Sequence, residues 1–493
     1  MGPDRRRSFG AVYTPSSIAH RLVEVATADG RSPRTVCDPA AGDGQLLDAA
    51  MSASGARGWA GDLELPATPV GASGDARWLR SDTLLDGLGA WPDAPEDGFD
   101  LVIGNPPFRG QLLAETAWAG SERAAVVSRY GDLVRGYTDT SSLFLVAACE
   151  MAAPTGRVAF IMPMSFLSAR DAAPARRRVL ELATLDGLWV CPDLVFPDAQ
   201  VQVCAVILDR SGPRRRPFRR WVGEGWSPLP STIVDSDQLV ARDTWGHLAA
   251  PALGIPGVEL GQHGTVGELG AATAGFRDEY YGLAALVEEM PEAGTRRWAP
   301  LVTTGLVDPG VVHWGQKSAR IAKQQWRRPA VDLDRLDPAS SLGRWVDARL
   351  RPKVVVATQT RVIEAAADPE GVMIPSTPLI AVHATGRDLW RVLAVLLAPP
   401  VSAWARATHL GAARSAAALK LSARQIGSIP LPPDTAVWSS VAAALEADHI
   451  RVGRLDPETL RRAGESMTAA YRCGPEVTRW WEEQRGPRGA RTR

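Results

Sequence analysis

The chain predicts an α/β fold over its first 210 residues, followed by a second domain. Three observations carry this prediction. Short apolar runs around Thr35-Val36-Cys37, Gly58-Trp59-Ala60 and Leu101-Val102-Ile103 read as buried strands. The first of them passes through a glycine-containing loop, Asp38-Pro39-Ala40-Ala41-Gly42-Asp43-Gly44, straight into a helical stretch that starts at Gln45. The last stops sharply at Gly104-Asn105-Pro106-Pro107-Phe108. A proline has no N–H to give a strand ladder, so Pro106 and Pro107 force the chain out of the sheet there. At 493 residues the chain has room for two or three domains, given roughly 100–200 residues per domain.

Near the start, Ile18, Leu22 and Val25 recur at helical spacing, with Thr14 as the expected N-cap and Pro15 as the first helical residue. A helix start offers free backbone N–H groups that can hold a ligand carboxylate. In the glycine loop, Gly42 and Gly44 let the backbone approach a ligand closely. No third glycine completes a dinucleotide fingerprint, and Asp38 beside the loop suits an ammonium-bearing ligand better than a phosphate. The second strand ends in acids at Asp62 and Glu64, where a carboxylate can accept from ribose hydroxyls. A third strand around Arg77–Arg80 ends at Asp82, placed to accept from an adenine amino group. At the end of the fourth, the Asn105 amide, the Pro106 carbonyl and the Phe108 ring form an array suited to a flat heterocycle with an exocyclic NH2. Each feature alone is also a common strand-end turn; their order along the chain makes coincidence a poor account.

That order resembles the γ-class adenine-N6 DNA methyltransferases. The matching pieces are Tyr13-Thr14-Pro15, the Asp38–Gly44 loop, Asp62, Asp82 and Asn105-Pro106-Pro107-Phe108. Gly156–Pro163 looks like the family's next strand. Val195-Phe196-Pro197 and Val201–Leu208 look like its last paired strands. Ala41 and Asp43 depart from the Cys and Ser of commoner members. The resemblance implies a Rossmann-like S-adenosylmethionine-dependent methyltransferase domain with a mixed, mostly parallel sheet, and a C-terminal α+β target-recognition domain. It also implies S-adenosyl-L-methionine as cofactor, held by Tyr13, Thr14, Pro15, Asp38, Pro39, Ala40, Gly42, Gly44, Asp62 and Asp82. Asn105 and Pro106 would bind the target amino group, in a motif completed by Pro107. Phe108 and Phe196 would stack on the two faces of a flipped adenine.

The expected domains are 1–210 for catalysis, a 211–220 linker rich in Pro and Arg, 221–435 for DNA recognition, and a helical extension over 436–493 with a disordered basic tail. Within the recognition part, Ala274–Tyr281, Thr304–Leu306, a strand from Arg351 to Ala357 and a closing helix near Leu389–Trp404 resemble pieces of such domains. The basic run Gln316–Arg328 is the expected DNA-contacting stretch, through Gln316, Lys317, Arg320, Lys323 and Arg327; a solvated helix face is the competing reading.

Charge supports this division. Lys+Arg equals Asp+Glu at 55 each, yet residues 1–210 carry 19 basic and 26 acidic side chains and the remainder 36 and 29. A basic second half suits a polyanionic partner, here double-stranded DNA. The four lysines, Lys317, Lys323, Lys353 and Lys420, form no Asp/Glu-x-Lys nuclease signature and no P-loop, so any restriction endonuclease or defence subunit would be a separate chain. Five scattered cysteines indicate neither a metal site nor a disulfide framework. No signal peptide is evident, and the apolar run Leu389–Ala405 is broken by Arg391 and Pro399-Pro400, so a cytoplasmic protein without membrane contact is expected. Two other readings stand beside this one: methylation of RNA or of protein glutamine, which shares the Asn-Pro-Pro-Phe box, and a DNA-binding subunit that keeps the fold and senses cofactor without turnover.

Overall fold

Alternation of buried strands and amphipathic helices builds the first part of the chain. The computed structural model describes residues 14–108, 118, 120–196, 201–275, 277–292, 296–411 and 418–486. The chain divides into two units, residues 1–254 with 410–416, and residues 255–409 with 417–493.

The first unit is organised on a nine-stranded sheet. In chain order its strands are β1 (Thr35–Asp38), β2 (Arg57–Asp62), β3 (Arg77–Arg80), β4 (Phe99–Gly104), β5 (Ala152–Pro163), β6 (Thr184–Val190), β7 (Val203–Asp209), β8 (Arg215–Val222) and β9 (Ser227–Asp235). Their spatial order is β3-β2-β1-β4-β5-β7-β6-β8-β9. Pairings are parallel from β3 through β5 and between β6 and β8; β7 runs antiparallel to both its neighbours, and β9 to β8. The fold is therefore α/β with a mixed, mostly parallel sheet.

Helix α1 (Ser16–Ala26) buries Ile18, Leu22 and Val25, the residues at helical spacing in the sequence, and α2 (Gln45–Ser54) buries Leu46 and Leu47 against the same core. The chain runs outward from β1 to β2 and β3, then returns to lay β4 on the other side of β1. This reversal opens a crevice at the carboxyl ends of β1 and β4, where open α/β sheets bind ligands.

Two expectations about the first unit are corrected. Residues 211–220 are not a linker: most of them form β8, which pairs parallel with β6, and the unit continues to Gly254. Two of their arginines neutralise acids buried on β6 and β7. Arg216 pairs with Asp186 and, at 3.2 Å, with Asp209; Arg219 pairs with Asp186. Arg157 lies among the same acids, 2.8 Å from Asp29, 3.5 Å from Asp209 and 3.6 Å from Asp186, and donates to the Ala26 carbonyl at 2.7 Å. Second, the paired strands after β5 are β6 and β7; Val195 and Phe196 lie in a loop, and Pro197 is outside the described residues.

Burial alone would raise the Asp209 carboxyl, but hydrogen bonds from Arg31, Ser211 and Arg216 hold it down at about 2. Its contribution to stability is thus complete above the ordinary carboxylate range and is lost as pH falls from about 4 toward 2. Replacing Arg157 with methionine leaves three acids short of a counter-charge. The expected loss is about 3–5 kcal/mol, read as a lower thermal midpoint, with acid unfolding starting at higher pH.

The second unit holds two four-stranded sheets, ordered 271–274, 380–383, 353–357, 364–368 and 287–289, 329–332, 298–302, 374–375, plus small hairpins. The strand expected from Arg351 to Ala357 is present as Lys353–Ala357, and the apolar run after Leu389 forms two helices, Gly386–Leu396 and Pro399–Thr408. Helices Thr435–Val452, Pro457–Ala470 and Pro475–Gln484 belong to this same unit; the basic tail from 487 onward lies outside the described residues. Among the described residues no helix is long and apolar enough to cross a membrane.

Candidate active site

The crevice is built by backbone first. The glycine loop turns directly after β1: Ala41 N–H donates to the Gly61 carbonyl at 3.0 Å and Gly44 N–H to the Ala41 carbonyl at 2.8 Å. Gly44 has φ +90°, and a Cβ there would lie 2.3 Å from the Ser73 Oγ and 3.1 Å from the Trp78 ring. Only glycine satisfies both the dihedral and the space. Gly104, at the end of β4, is similarly constrained: a Cβ would meet the Asp38 Oδ1 at 3.2 Å and the Phe160 ring at 3.1 Å. Gly44→Ala is expected to destabilise the protein by about 1–3 kcal/mol and to weaken ligand binding in the loop. A thermal midpoint beside a binding isotherm separates the two effects.

Three carboxylates converge on this loop. Asp38 is 1% exposed and accepts from the Ala40 N–H at 3.0 Å. Asp62 accepts from the Gly42 N–H at 2.9 Å and the Glu64 N–H at 3.0 Å, which ties the end of β2 to the loop. Asp43 accepts from the Gln45 N–H at 3.2 Å, at the head of α2. Burial pushes the Asp38 carboxyl up to about 8; the Ala40 hydrogen bond opposes this, and the charges of Asp62 and Asp43 add to it. Asp62, Asp43 and Asp82 are likewise raised by burial. A site where buried carboxyl groups raise one another's affinity for protons favours a positively charged ligand. This donor set fits a cofactor bearing ammonium and sulfonium groups. Asp82 follows β3 and stands at the N-cap position of a short helix, Thr83–Asp86.

Asn105 emerges from β4 beside this loop, and its Nδ2 donates to the Thr14 Oγ1 at 3.1 Å. The Thr14 hydroxyl therefore does not cap helix α1; Pro15 takes the N-cap position without a side-chain cap, and Ile18 N–H reaches the Pro15 carbonyl. With Nδ2 committed to Thr14, Oδ1 is the amide atom that accepts. Pro106 is buried, while Pro107 is half-buried. Phe108 packs half-buried on the core that also contains Phe196. Phe196 is 1% exposed and so presents no open face to a ligand in this structure. Pro39 and Ala40 line the turn after Asp38, and Tyr13 lies outside the described residues.

Sequence reasoning missed the segment that backs the loop. Val70 N–H donates to the Asp43 carbonyl at 3.0 Å, Ala72 N–H to Asp48 at 2.6 Å, and the Trp78 Nε1 to the Ser73 carbonyl at 2.8 Å. It also missed Thr83, whose hydroxyl donates to the Pro39 carbonyl. Residues 66–76, rich in Pro, Gly, Ser and Ala, give no periodic signal by which to find them.

In the second unit, Arg320 and Lys323 of the expected DNA-contacting residues lie on a hairpin, Gln316 and Lys317 in the turn before it and Arg327 just after it. Strands 319–321 and 324–326 pair antiparallel; Gln316, Lys317, Arg320, Lys323 and Arg327 are all exposed. Lys317 is engaged with Asp308 at 2.6 Å, an acid that His313 also approaches at 2.8 Å.

Comparison with known proteins agrees with this architecture. Residues 76–189, which span β3 through most of β6 and include Asn105–Phe108, match the Eco57I restriction-modification methylase family. A putative type II restriction enzyme and methyltransferase of Methanocaldococcus jannaschii is 29% identical over 119 residues, 24% of this chain and 9% of that protein. Among solved structures, the type IIL restriction-modification enzyme MmeI in complex with DNA is similar over 99% of this chain and 78% of its own, with TM-score 0.63 and 12% identity. A nuclease-deletion mutant of the type ISP enzyme LlaGI with a DNA substrate mimic is similar over 90% of this chain and 55% of its own, with TM-score 0.51 and 10% identity. At these identities the structural likeness concerns the fold.

Proposed function

We propose that this chain, with its Eco57I-type methylase segment, transfers a methyl group from S-adenosyl-L-methionine to N6 of adenine in duplex DNA, as the modification activity of a restriction-modification or phage-defence system. The observation that carries the reading is the junction of β1 and β4, where a cation-favouring carboxylate loop lies beside an Asn-Pro-Pro-Phe exit whose amide is oriented by Thr14. The DNA complexes of MmeI and LlaGI, proteins of similar fold, favour DNA as the partner.

In this reading the first two turns of the site hold the cofactor. Thr14, Pro15, Asp38, Pro39, Ala40, Gly42 and Gly44 would hold its methionine end, where the family resemblance also puts Tyr13; Asp62 would accept from the ribose hydroxyls and Asp82 from the adenine amino group. When bound, the cofactor supplies an electrophilic methyl group. The chain supplies position. Asn105 Oδ1 and the Pro106 carbonyl accept from the target NH2, which raises electron density on its nitrogen and aligns it for in-line attack. Pro107 fixes the turn that presents them. The amino nitrogen would form the new bond to carbon as the methyl carbon–sulfur bond breaks and a neutral thioether leaves with that electron pair; the nitrogen would then release a proton to solvent, so no nucleophilic side chain is needed. Extruding the base costs a few kcal/mol, and stacking on Phe108 returns about 1–3 kcal/mol. Phe196 can complete the sandwich only with a rearrangement of its loop. Gln316, Lys317, Arg320, Lys323 and Arg327 would contact the duplex.

Incubating the protein with tritiated S-adenosylmethionine and, separately, duplex DNA, RNA and a protein extract tests the reading. Label in DNA is expected. Label confined to RNA or protein overturns it, as does cofactor binding without transfer to any of the three.

A further inference from the structure

The hairpin at 319–326 is more organised than a solvated basic loop requires. The 22 residues from 309 to 330 carry five basic and no acidic side chains. Ala319 and Ile321 are buried in the core of the second unit, with Trp326 packed against it. Strand alternation then turns Arg320 and Gln325 to the opposite, exposed face, where the register makes them direct cross-strand partners. Ala322 and Lys323 form the tip with φ of +50° and +68°, the left-handed pair that two-residue hairpins ordinarily fill with Asn-Gly. Strain of this kind persists where surrounding structure enforces it. The enforcement is visible: Ala322 N–H donates to the Tyr280 hydroxyl at 3.2 Å, and Glu289 accepts from Arg327 N–H at 3.1 Å and Arg328 N–H at 2.6 Å. Tip and base are thus both clamped, and the outward side chains project from a rigid platform.

We infer that this ribbon reads sequence in the DNA major groove, with Arg320 and Gln325 each contacting a base edge and Lys323 contacting phosphate. The inference rests on the proposed DNA methyltransferase reading and names the residues that set its specificity. A two-stranded ribbon fits the major groove, where an arginine recognises guanine and a glutamine adenine through paired hydrogen bonds. The Arg320, Lys323 and Gln325 side chains are not committed to any hydrogen bond or ion pair among the described residues.

The test first maps the methylated motif of the wild-type protein by sequencing modified bases in unmethylated genomic DNA. It then measures the affinities of R320A, Q325A and K323A for duplexes with and without that motif. Equal cofactor binding in all variants verifies folding. R320A and Q325A are expected to lower the ratio of the two affinities by roughly 10- to 100-fold, with non-specific affinity little changed for Q325A. K323A is expected to weaken both duplexes alike and to reduce the salt slope by about one. An unchanged ratio in R320A and Q325A, with motif-specific methylation by the wild type, overturns the hairpin assignment alone. Wild-type protein that methylates no DNA overturns the underlying reading and this inference with it.

Discussion

An Asn105→Ala variant is expected to lose methyl transfer to DNA by roughly 10²–10³-fold, while its affinity for S-adenosylmethionine changes little. The separation follows from geometry. Asp38, Asp62 and the glycine loop are held by their own backbone hydrogen bonds, none of which involves Asn105. The Asn105 amide is instead tied to Thr14 at 3.1 Å, at the end of the neighbouring strand β4. In the proposed mechanism its removal withdraws an acceptor from the attacking amino group and leaves those three loop hydrogen bonds in place. Single-turnover rates with saturating cofactor, beside a cofactor binding isotherm, check both halves. A variant that loses binding and transfer together would mean that Asn105 belongs to the cofactor pocket.

The second large effect concerns Asp38. Burial pushes its carboxyl up to about 8, and the negative charges of Asp62 and Asp43 add to this. The folded, ligand-free protein therefore keeps a proton that the unfolded chain releases near pH 4. Stability falls as pH rises between about 4 and 8, because over that window the folded state binds more protons. A cationic ligand beside Asp38 reverses the preference, so binding at pH 6.5 is expected to release close to one proton, and close to none above pH 9. Titration calorimetry in two buffers of different ionisation enthalpy measures that number. Asp38→Asn should abolish the release and weaken cofactor binding by roughly 10- to 150-fold, the range for a charge-assisted hydrogen bond. It should also flatten the fall in stability above pH 4. Proton release that persists in Asp38→Asn would assign the titration to another acid.

Local constraints made much of this site legible in the sequence. The turn after Ile103 is set by two prolines that cannot continue a ladder, and the loop after Cys37 by glycines that must approach other groups closely. Both follow from short stretches of chain, and both appear in the structure where the sequence puts them. Residues whose roles depend on distant partners were misread. Arg216 and Arg219 look like part of a solvated linker until Asp186 and Asp209 are found on β6 and β7. Thr14 looks like a helix cap because nothing nearby reveals that Asn105, 91 residues on, takes its hydroxyl. The 319–326 hairpin left no signal because its tip is Ala-Lys, held in place by Tyr280 rather than by turn propensity. Phe196 matched a motif by order alone, and its burial shows what order does not report.

The measurement that bears most directly on the central claim is nucleoside mass spectrometry of DNA from cells lacking endogenous methylases. One culture would express the wild-type chain and another the Asn105→Ala variant. The account predicts N6-methyldeoxyadenosine in the first and none in the second. N4-methyldeoxycytidine in place of the adenine product, or no modified nucleoside from wild-type protein that binds cofactor, would contradict it.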